Sequence, residues 1–315
     1  MIPDALLDAI ADEGKAFCVD PAALLKRDLE LEPPTNWSPN RHCQLVEAAD
    51  GWIAVNLARE DDRDAVPAWL ECELGSDPWD AVEKQARGRT TADLLERAVL
   101  LGLPVVAVGE AAPPIPSPLR LDHSTSKTVV DLSALWAGPL CGGLLAEAGM
   151  AVTKIEDPVR PDPTGGTTPE HDRRLNGRKR RLSMTLGDPQ LLEIIASARI
   201  LITSARPFAL ARLGLTEEAL FDLNPALIWV AITAHGFYGE GAMRVGFGDD
   251  CAAAGSLVRW ENGVPHFLGD ALADPLTGLR AARLALSAVT EGRAGLIDVA
   301  LAPTAAEFAQ RAGLR

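Results

Sequence analysis

The sequence is short of positive charge and of long apolar runs, and each shortage excludes a class of partner. Its 30 lysines and arginines stand against 44 aspartates and glutamates, which gives a formal net charge of −14. Proteins that bind nucleic acid or anionic membrane surfaces need a basic footprint, so we expect neither partner. No apolar run approaches the roughly 18 residues of a membrane-spanning helix, so no span is predicted.

Cysteine is also scarce, with five residues at irregular spacing and no Cys-x-x-Cys pair. An odd number of cysteines without such a pair indicates reduced thiols and not a disulfide framework or a zinc site. The first residues, MIPDALLDAIADEGK, lack the basic start and the apolar centre of a signal peptide. We therefore predict a cytoplasmic protein with no metal site and no tightly bound cofactor.

Proline-rich stretches divide the chain into parts. APPIPSPLRLDHSTSK predicts a semi-extended linker over 112–127, and EPPTNWSPNR (32–41) marks a weaker break. Before the linker we predict an N-terminal helical segment over 1–41 and a small α+β domain over 42–111. After the linker we predict a larger α/β domain over 128–315.

In the small domain, apolar periodicity and helix stop signals predict the order strand, helix, helix, strand. The predicted strands are DGWIAVNL (50–57) and LPVVAVGE (103–110). The predicted helices are AVPAWLECELG (65–75), closed by Gly75, and TTADLLERAVLLG (90–102), capped by Thr90 or Thr91.

The most informative segment, VVDLSALWAGPLCGGLLAEAGMAVTKIE (129–156), predicts a buried strand, a helix opening at Pro139 and ended by Gly149, and a second strand. Such a unit is right-handed and parallel, and parallel sheets bind ligands at the carboxyl ends of their strands. The residues expected there are Ser133, Ala134, Leu135, Trp136, Ala137 and Gly138. The nearby glycines do not form G-x-G-x-x-G. We predict a doubly wound, parallel, Rossmann-like α/β domain that lacks a dinucleotide fingerprint.

Three runs in this segment resemble the class III CoA-transferase family, which includes formyl-CoA and carnitine CoA-transferases and the α-methylacyl-CoA racemases. They are Ala137-Gly138-Pro139, Leu145-Ala146-Glu147-Ala148-Gly149 and Lys154-Ile155-Glu156. Four more runs follow in family order: LNGRKRRLSM (175–184), ARPFALARLGL (205–215), LNPALIWVAITAHG (223–236) and ADPLTGLRAA (273–282). A D-G-W module that comes late in family members stands early here, at 50–52. The resemblance therefore implies an exchanged domain order, as in a circular permutation, and a shortened chain.

The resemblance implies transfer of CoA between carboxylic acids, with acyl-CoA as substrate and a homodimer as the assembly. It also implies that Asp274, in D-x-x-x-G ending at Gly278, is the nucleophile. A carboxylate can attack an acyl-CoA carbonyl to form a mixed anhydride, and an aspartyl-CoA thioester follows. From the residues alone, Asp before Pro275 favours a helix N-cap, and the two roles are compatible. Asp270 is the rival nucleophile.

The resemblance also implies the residues that contact CoA. Six cations lie between Arg173 and Arg181 in an acidic chain, and arginine and lysine suit phosphate. The family places Asn176, Lys179 and Arg180 near the CoA phosphates, and Arg212 matches another family arginine. Ser204 stands beside the expected adenine, where members often carry asparagine. Trp136 could cover the adenine or pantetheine, or pack in the core.

Several alternatives remain open at this stage. The racemase branch needs a histidine where this chain has Gly248, and His235 fits a loop hydrogen bond better than a base. Cys141 fits packing better than thiolate chemistry. No glycine-rich loop that would shield an anhydride follows residue 274. A CoA-ester hydrolase or a non-catalytic CoA-ester-binding subunit therefore competes with the transferase.

Overall fold

The computed structural model describes residues 2–75, 77–122 and 124–314. His123 of the predicted linker, and the terminal residues of the first and last predicted parts, lie outside the described residues. No helix in the described ranges is both long enough and apolar enough to cross a membrane.

The first part of the chain forms an N-terminal segment and a small module of one sheet and three helices. The segment (residues 2–41) contains α1 (Asp4–Glu13), a 3-10 turn (Lys15–Phe17) and α2 (Pro21–Leu24). The module contains β1 (Cys43–Ala48), β2 (Gly51–Asn56), α3 (Glu60–Leu70), α4 (Pro78–Ala86), α5 (Thr91–Leu101) and β3 (Val105–Ala107). Its strands form an antiparallel sheet in the order β1-β2-β3. The predicted β-α-α-β pattern is therefore extended by one strand and one helix.

The rest of the chain builds a larger sheet with helices. Its strands are β4 (Arg120–Leu121), β5 (Thr128–Asp131), β6 (Ala151–Glu156), β7 (Arg180–Ser183), β8 (Ile200–Thr203), β9 (Ile228–Thr233) and β12 (Arg293–Ala300), with a hairpin of β10 (Val258–Glu261) and β11 (Val264–Phe267). Its helices are α6 (Ala137–Glu147), α7 (Thr164–Thr167), α8 (Pro169–Asn176), α9 (Pro189–Ala196), α10 (Pro207–Arg212), α11 (Glu217–Leu223), α12 (Gly248–Ala254), α13 (Ala273–Thr290) and α14 (Leu301–Arg311), with a 3-10 turn at Gly239–Met243.

The large sheet has the order β4-β12-β9-β8-β5-β6-β7, and every pair except β4–β12 is parallel. Successive strand residues face opposite sides of a sheet. Val129 of β5 accordingly packs in the core that contains α6 and α13, whereas Val130 packs in the core that contains α9 and α11. Both faces are covered by helices, which confirms the doubly wound α/β prediction.

The predicted strand–helix–strand unit is present, with one shift at its helix. β5 and β6 are parallel neighbours, and Gly149 has φ of +88° after the helix. The helix begins at Ala137, two residues before the expected Pro139, and Leu140 N–H donates to Trp136 C=O at 2.8 Å. Ala137 and Gly138 therefore belong to the first helical turn and not to the preceding loop.

One other predicted helix boundary was wrong, and the predicted linker contains a short strand. The helix expected at 65–75 occupies Glu60–Leu70, because three acidic residues favour its first turn and the left-handed Glu71 (φ 53°) ends it before Gly75. The linker at 112–127 contains β4, which pairs antiparallel with the edge strand β12. Proline permits this because β4 follows the last proline of the stretch.

The module and the N-terminal segment pack directly on the larger sheet's helices. The module has a core of its own around Trp69, between its sheet and α3 to α5. Leu45 and Val106, on the other face of its sheet, belong to the main core together with Leu6 and Ile10 of α1. This arrangement brings the N-terminal segment next to α12 and α13.

Candidate active site

The turn after β5 lies at the point where the strand order of the sheet reverses. β6 and β7 extend the sheet on one side of β5, whereas β8, β9 and β12 extend it on the other. Ala134 N–H donates to Ser204 Oγ after β8 at 3.0 Å, so the two neighbouring strand ends are joined. Doubly wound sheets bind ligands at such a switch point, and Ser133 to Gly138 lie there as predicted.

A buried ion pair between Lys154 and Asp162 stabilises this turn. Lys154 Nζ donates to Ser133 C=O at 2.8 Å and to Asp162 Oδ2 at 3.1 Å. Asp162 Oδ2 in turn accepts Leu135 N–H at 3.2 Å, and Leu135 has the uncommon φ of +69°. A left-handed backbone at a non-glycine residue persists only where the surroundings enforce it. Lys154 and Asp162 therefore define the shape of the turn.

Lys179 belongs to the same support and does not face a ligand. Its Nζ is fully buried and donates to Asp131 Oδ2, Pro139 C=O and Asn176 Oδ1 at 2.6–2.7 Å. Asn176 is buried as well. The phosphate-binding role predicted for these two residues does not fit their placement, because contact with phosphate would break a buried ion pair. The family pattern at 176–180 therefore contributes structural support at these two positions.

Arg180 and Arg212 are placed where a polyanion can reach them. Arg180 is exposed on the edge strand β7, and Arg212 is exposed at the last residue of α10. Trp136, in contrast, is 3% exposed and makes an edge contact with His171. The packing alternative for Trp136 fits this burial, and covering an adenine does not.

Asp274 lies at the second position of α13, beside the turn. The helix begins at Ala273 after Leu272, so the N-cap interpretation of Asp274 was wrong, and no side chain caps this helix. The Ala137 N–H at the start of α6 acts on the Asp274 carboxylate and lowers its pKa. The carboxylate thus faces the predicted binding turn, near the positive ends of two helices.

Gly248 leaves the volume that the Asp274 carboxylate occupies. A Cβ atom at position 248 would lie 2.2 Å from Asp274 Oδ2 and 2.6 Å from Ala271 C=O. Any side chain there would displace the carboxylate or the backbone. The histidine of the racemase branch therefore cannot stand at this position while Asp274 keeps its present place.

Two further carboxylates, Asp249 and Asp270, lie close to Asp274. Asp249 accepts Asn40 Nδ2 and Ala271 N–H, each at 2.7 Å. Asp270 receives two hydrogen bonds of 2.5 Å from Arg27 and one of 2.7 Å from Asn40. One arginine and one asparagine thus bind the carboxylates of Asp249 and Asp270, beside the third carboxylate of Asp274.

Burial and like charge raise the pKa of two of these carboxyls. Burial, reinforced by the charge of Asp270, raises the pKa of Asp249 to about 6. Burial also raises the pKa of Asp274 to about 7, with Arg27 opposing the shift and both neighbouring aspartates adding to it. A carboxyl that titrates near neutral pH in a polar cluster is typical of catalytic sites.

Sequence reasoning missed Arg27, Asn40 and Asp249. Arg27 is separated from Asp270 by 243 positions, and Asn40 from Asp249 by 209. No local pattern links residues at such separations. The one available signal was the Asp249-Asp250 pair directly after the Gly248 that replaces the racemase histidine.

The surroundings of two other candidates, Cys141 and His235, fit packing and not catalysis. Burial raises the pKa of the Cys141 thiol, which fits packing. His235, Asp250 and Cys251 form a group whose ligand atoms lie within 4.8 Å of one another in the described residues. Asp250 already accepts Asn56 Nδ2 and Phe247 N–H, and burial with the charge of Arg244 lowers the pKa of His235 to about 3. A nearby arginine disfavours a bound cation.

Comparison with known proteins agrees with these features. The family model for CoA-transferase family III matches residues 126–314. An acyl-CoA transferase of Fusarium pseudograminearum is 28% identical over 216 residues, which cover 60% of this chain and 47% of that protein. The succinyl-CoA–L-malate CoA-transferase beta subunit of Chloroflexus aurantiacus is 32% identical over 192 residues, 55% of this chain and 47% of that subunit. The chain spans about half the length of these relatives.

The fold has a matching relative among solved structures. A hypothetical protein from Mycobacterium tuberculosis superposes with a TM-score of 0.53 at 26% identity, over 62% of this chain and 58% of that one. The family match covers the sheet from β5 onward and includes the turn, Arg180, Arg212 and Asp274. By this match the chain belongs to CoA-transferase family III.

Proposed function

We propose that the protein transfers CoA between carboxylic acids, with Asp274 as the nucleophile. The observation that carries this proposal is the position of the Asp274 carboxylate. It is partly buried, it lies beside Gly248 and the start of α6, and its pKa is raised to about 7. The printed activities of the relatives, acyl-CoA and succinyl-CoA transfer, support the reaction class.

The first half of the proposed reaction passes the acyl group to Asp274. An Asp274 oxygen attacks the thioester carbonyl, the carbon–sulfur bond breaks, and CoA leaves as thiolate. The thiolate then attacks the Asp274 carbonyl of the mixed anhydride, which releases the donor acid as carboxylate and leaves an aspartyl-CoA thioester. Backbone N–H groups at the start of α6 are placed to stabilise the negative charge that develops on oxygen.

The second half repeats these steps with the acceptor acid. The acceptor carboxylate attacks the aspartyl thioester carbonyl and expels CoA thiolate. The thiolate attacks the acceptor's acyl carbon in the new anhydride, which restores the Asp274 carboxylate and releases the new acyl-CoA. Exposed Arg180 and Arg212 are the cations that we propose for the CoA phosphates.

The sequence is also compatible with two other functions. A CoA-ester hydrolase would release CoA without an acceptor acid. A non-catalytic CoA-ester-binding subunit would bind acyl-CoA without forming an adduct. The homodimer and the exchanged domain order stay predictions of the resemblance, and the cytoplasmic location stays a prediction from the cysteines.

Mass spectrometry of the intact protein tests the proposal. The protein is incubated with an acyl-CoA, with and without an acceptor acid, and then treated with hydroxylamine. We expect an adduct of the mass of CoA that hydroxylamine removes, located at Asp274 by peptide mapping. Asp274→Asn should fold and form no adduct, whereas Asp222→Asn, an exposed aspartate remote from the site, should behave as wild type.

Each alternative gives a different result in this experiment. Transfer activity retained by Asp274→Asn would show that another group is the nucleophile. Release of CoA at equal rates with and without acceptor would indicate the hydrolase. Binding of acyl-CoA that is unchanged in Asp274→Asn, with no turnover in either protein, would indicate the binding subunit.

A further inference from the structure

The N-terminal segment, residues 2–41, reaches the candidate active site although it lies outside the family match at 126–314. Arg27 follows α2 and donates to both oxygens of Asp270, with Nε and one terminal nitrogen at 2.5 Å. Asn40 Nδ2 lies 2.7 Å from oxygens of both Asp249 and Asp270. The side-chain donors that bind these two carboxylates thus come from a segment outside the residues matched by the family model.

Arg27 is held from two sides. Asp270 binds its guanidinium, and the guanidinium carbon lies 5.4 Å from the centroid of the Trp136 ring. Trp136 directly precedes α6 and packs edge-on against His171 at 4.7 Å between ring centroids. Arg27 therefore connects the start of α6, beside the binding turn, with the loop that leads into α13 and Asp274. Its side chain is only 22% exposed, which keeps the charge little screened.

We propose that Arg27 and Asn40 are positioning residues for Asp274. They bind Asp249 and Asp270 in fixed places and leave Asp274 as the reactive carboxylate of the three. Asp249 and Asp270 each accept hydrogen bonds from these side chains, whereas Asp274 has no side-chain donor within the described residues. This inference rests on the proposed function, because it takes Asp274 as the nucleophile.

The charges around Asp274 show why Arg27 matters. Asp249 and Cys251 face it from α12, Asp270 from the loop before α13, and Arg27 from the N-terminal segment. α6 contributes the Ala137 N–H. Among these neighbours in the described ranges, Arg27 carries the positive charge. Burial and the two aspartates favour the protonated carboxyl, and Arg27 favours the carboxylate that can attack a thioester.

The sign of the expected pH dependence follows from this balance. Because the pKa of Asp274 is about 7, its nucleophilic form is lost as pH falls through 7. Arg27→Gln removes the attraction and should move the midpoint of Asp274 to higher pH by about one unit. Arg27→Lys keeps the positive charge, so the pH midpoint of the Asp274 titration should stay close to the wild-type value. Asp270→Asn removes a repulsion and should move the midpoint to lower pH.

Two measurements on the full chain test the inference. The first is the titration of the Asp274 carboxyl carbon by ¹³C NMR, assigned by the signal missing from Asp274→Asn. The second is the pH profile of kcat for CoA transfer. Lys15→Gln serves as the matched control, because it removes one positive charge from the same segment at a side chain that is 78% exposed. It should change neither measurement.

Opposite shifts in Arg27→Gln and Asp270→Asn would support the inference, since general loosening of the site would move both midpoints alike. An unchanged midpoint in the folded variants, or shifts of the same sign, would overturn it. If Arg27→Gln fails to fold, Arg27→Lys and Asp270→Asn carry the test. The NMR arm needs no turnover, so a wild-type protein without transferase activity would refute the proposed function and still decide the role of Arg27.

Discussion

Neighbouring residues of one basic run have opposite surroundings in this protein. Lys179 is fully buried and pairs with Asp131, whereas Arg180 is exposed on the edge strand β7. Burial lowers the pKa of the lysine, but the charge and hydrogen bond of Asp131 oppose that effect. Lys179 lies just before β7, where its Nζ reaches Pro139 C=O of α6, whereas Arg180 begins the edge strand. The same family motif can therefore hold one structural cation and one that is free to bind a ligand.

This contrast predicts different losses for the two substitutions. Lys179→Ala leaves the Asp131 carboxylate buried without its cation and should lower the free energy of unfolding by roughly 3–5 kcal/mol. Arg180→Ala should leave stability unchanged and raise KM for the acyl-CoA about two- to five-fold, less so at high salt. Urea denaturation and steady-state kinetics at two salt concentrations measure these effects.

Arg178→Ala is the matched control for this pair, because Arg178 is 72% exposed and adjacent in sequence. It should change neither stability nor KM. A Lys179→Ala protein of normal stability would contradict the structural role. An unchanged KM in Arg180→Ala at low salt would remove Arg180 from the CoA site.

At the scale of elements, the site depends on close contact between α6 and α13. A Cβ atom at Gly278 would lie 2.6 Å from Ala137 C=O and 2.9 Å from Leu140 Cβ. Gly278 is one turn beyond Asp274, so this contact determines how far the carboxylate lies from the start of α6. The D-x-x-x-G pattern thus combines a reactive group with the small residue that lets its helix approach.

Gly278→Ala should therefore push α13 away from α6. Overpacking should lower the free energy of unfolding by about 2 kcal/mol, although alanine favours a helix more than glycine does. We also expect kcat to fall more than KM rises, because the nucleophile moves relative to the turn. Thermal unfolding and steady-state kinetics of the variant check both effects.

Gly166→Ala provides the comparison, because Gly166 lies in the exposed helix α7 with no atom within 4 Å of an added Cβ. It should be neutral or raise stability by about 0.5 kcal/mol. Equal stability of the two variants would contradict the prediction, because it would show that α6 and α13 can move apart at little cost in free energy.

On the scale of the whole molecule, an ion network binds the N-terminal segment to the large domain. Glu13 of α1 is 4% exposed and accepts hydrogen bonds from Arg280 and Arg283 of α13 and from Arg311 of α14. Burial alone would raise the pKa of Glu13, but the hydrogen bonds and charges of the arginines outweigh it and lower the pKa. This stabilisation is therefore present at neutral pH and lost on acidification.

Glu13→Gln leaves three arginines around a neutral side chain and should lower the free energy of unfolding by about 3 kcal/mol at pH 7. The loss should shrink at low pH, where Glu13 is itself protonated. Chemical denaturation at pH 7 and pH 3 measures this difference, because the lowered pKa of Glu13 moves its protonation below the ordinary range of a glutamate. Asp8→Asn, on the exposed face of the same helix, is the control and should have little effect. A cost for Glu13→Gln that does not vary with pH would contradict the ionic role.

Local patterns in the sequence determined the fold class and the place of the site. Strand periodicity, Gly149 and the early helix signal predicted the unit of β5, α6 and β6, because these signals act within a few residues of each other. The parallel unit in turn predicted a ligand-binding turn at 133–138, since the carboxyl ends of parallel strands face one edge. Asp274 was found through the family pattern, and the structure places it beside that turn.

The tertiary structure alone decided which side chains surround Asp274 and which of the basic residues are free. Arg27 and Asp270 meet although they are 243 positions apart in the sequence, and the burial of Lys179 depends on the helix that covers it. Burial and charge–charge energy depend on distance in space, and sequence patterns report only neighbours along the chain. For this reason the sequence located the turn and the aspartate, while the packing of the N-terminal segment determined the charges that act on them.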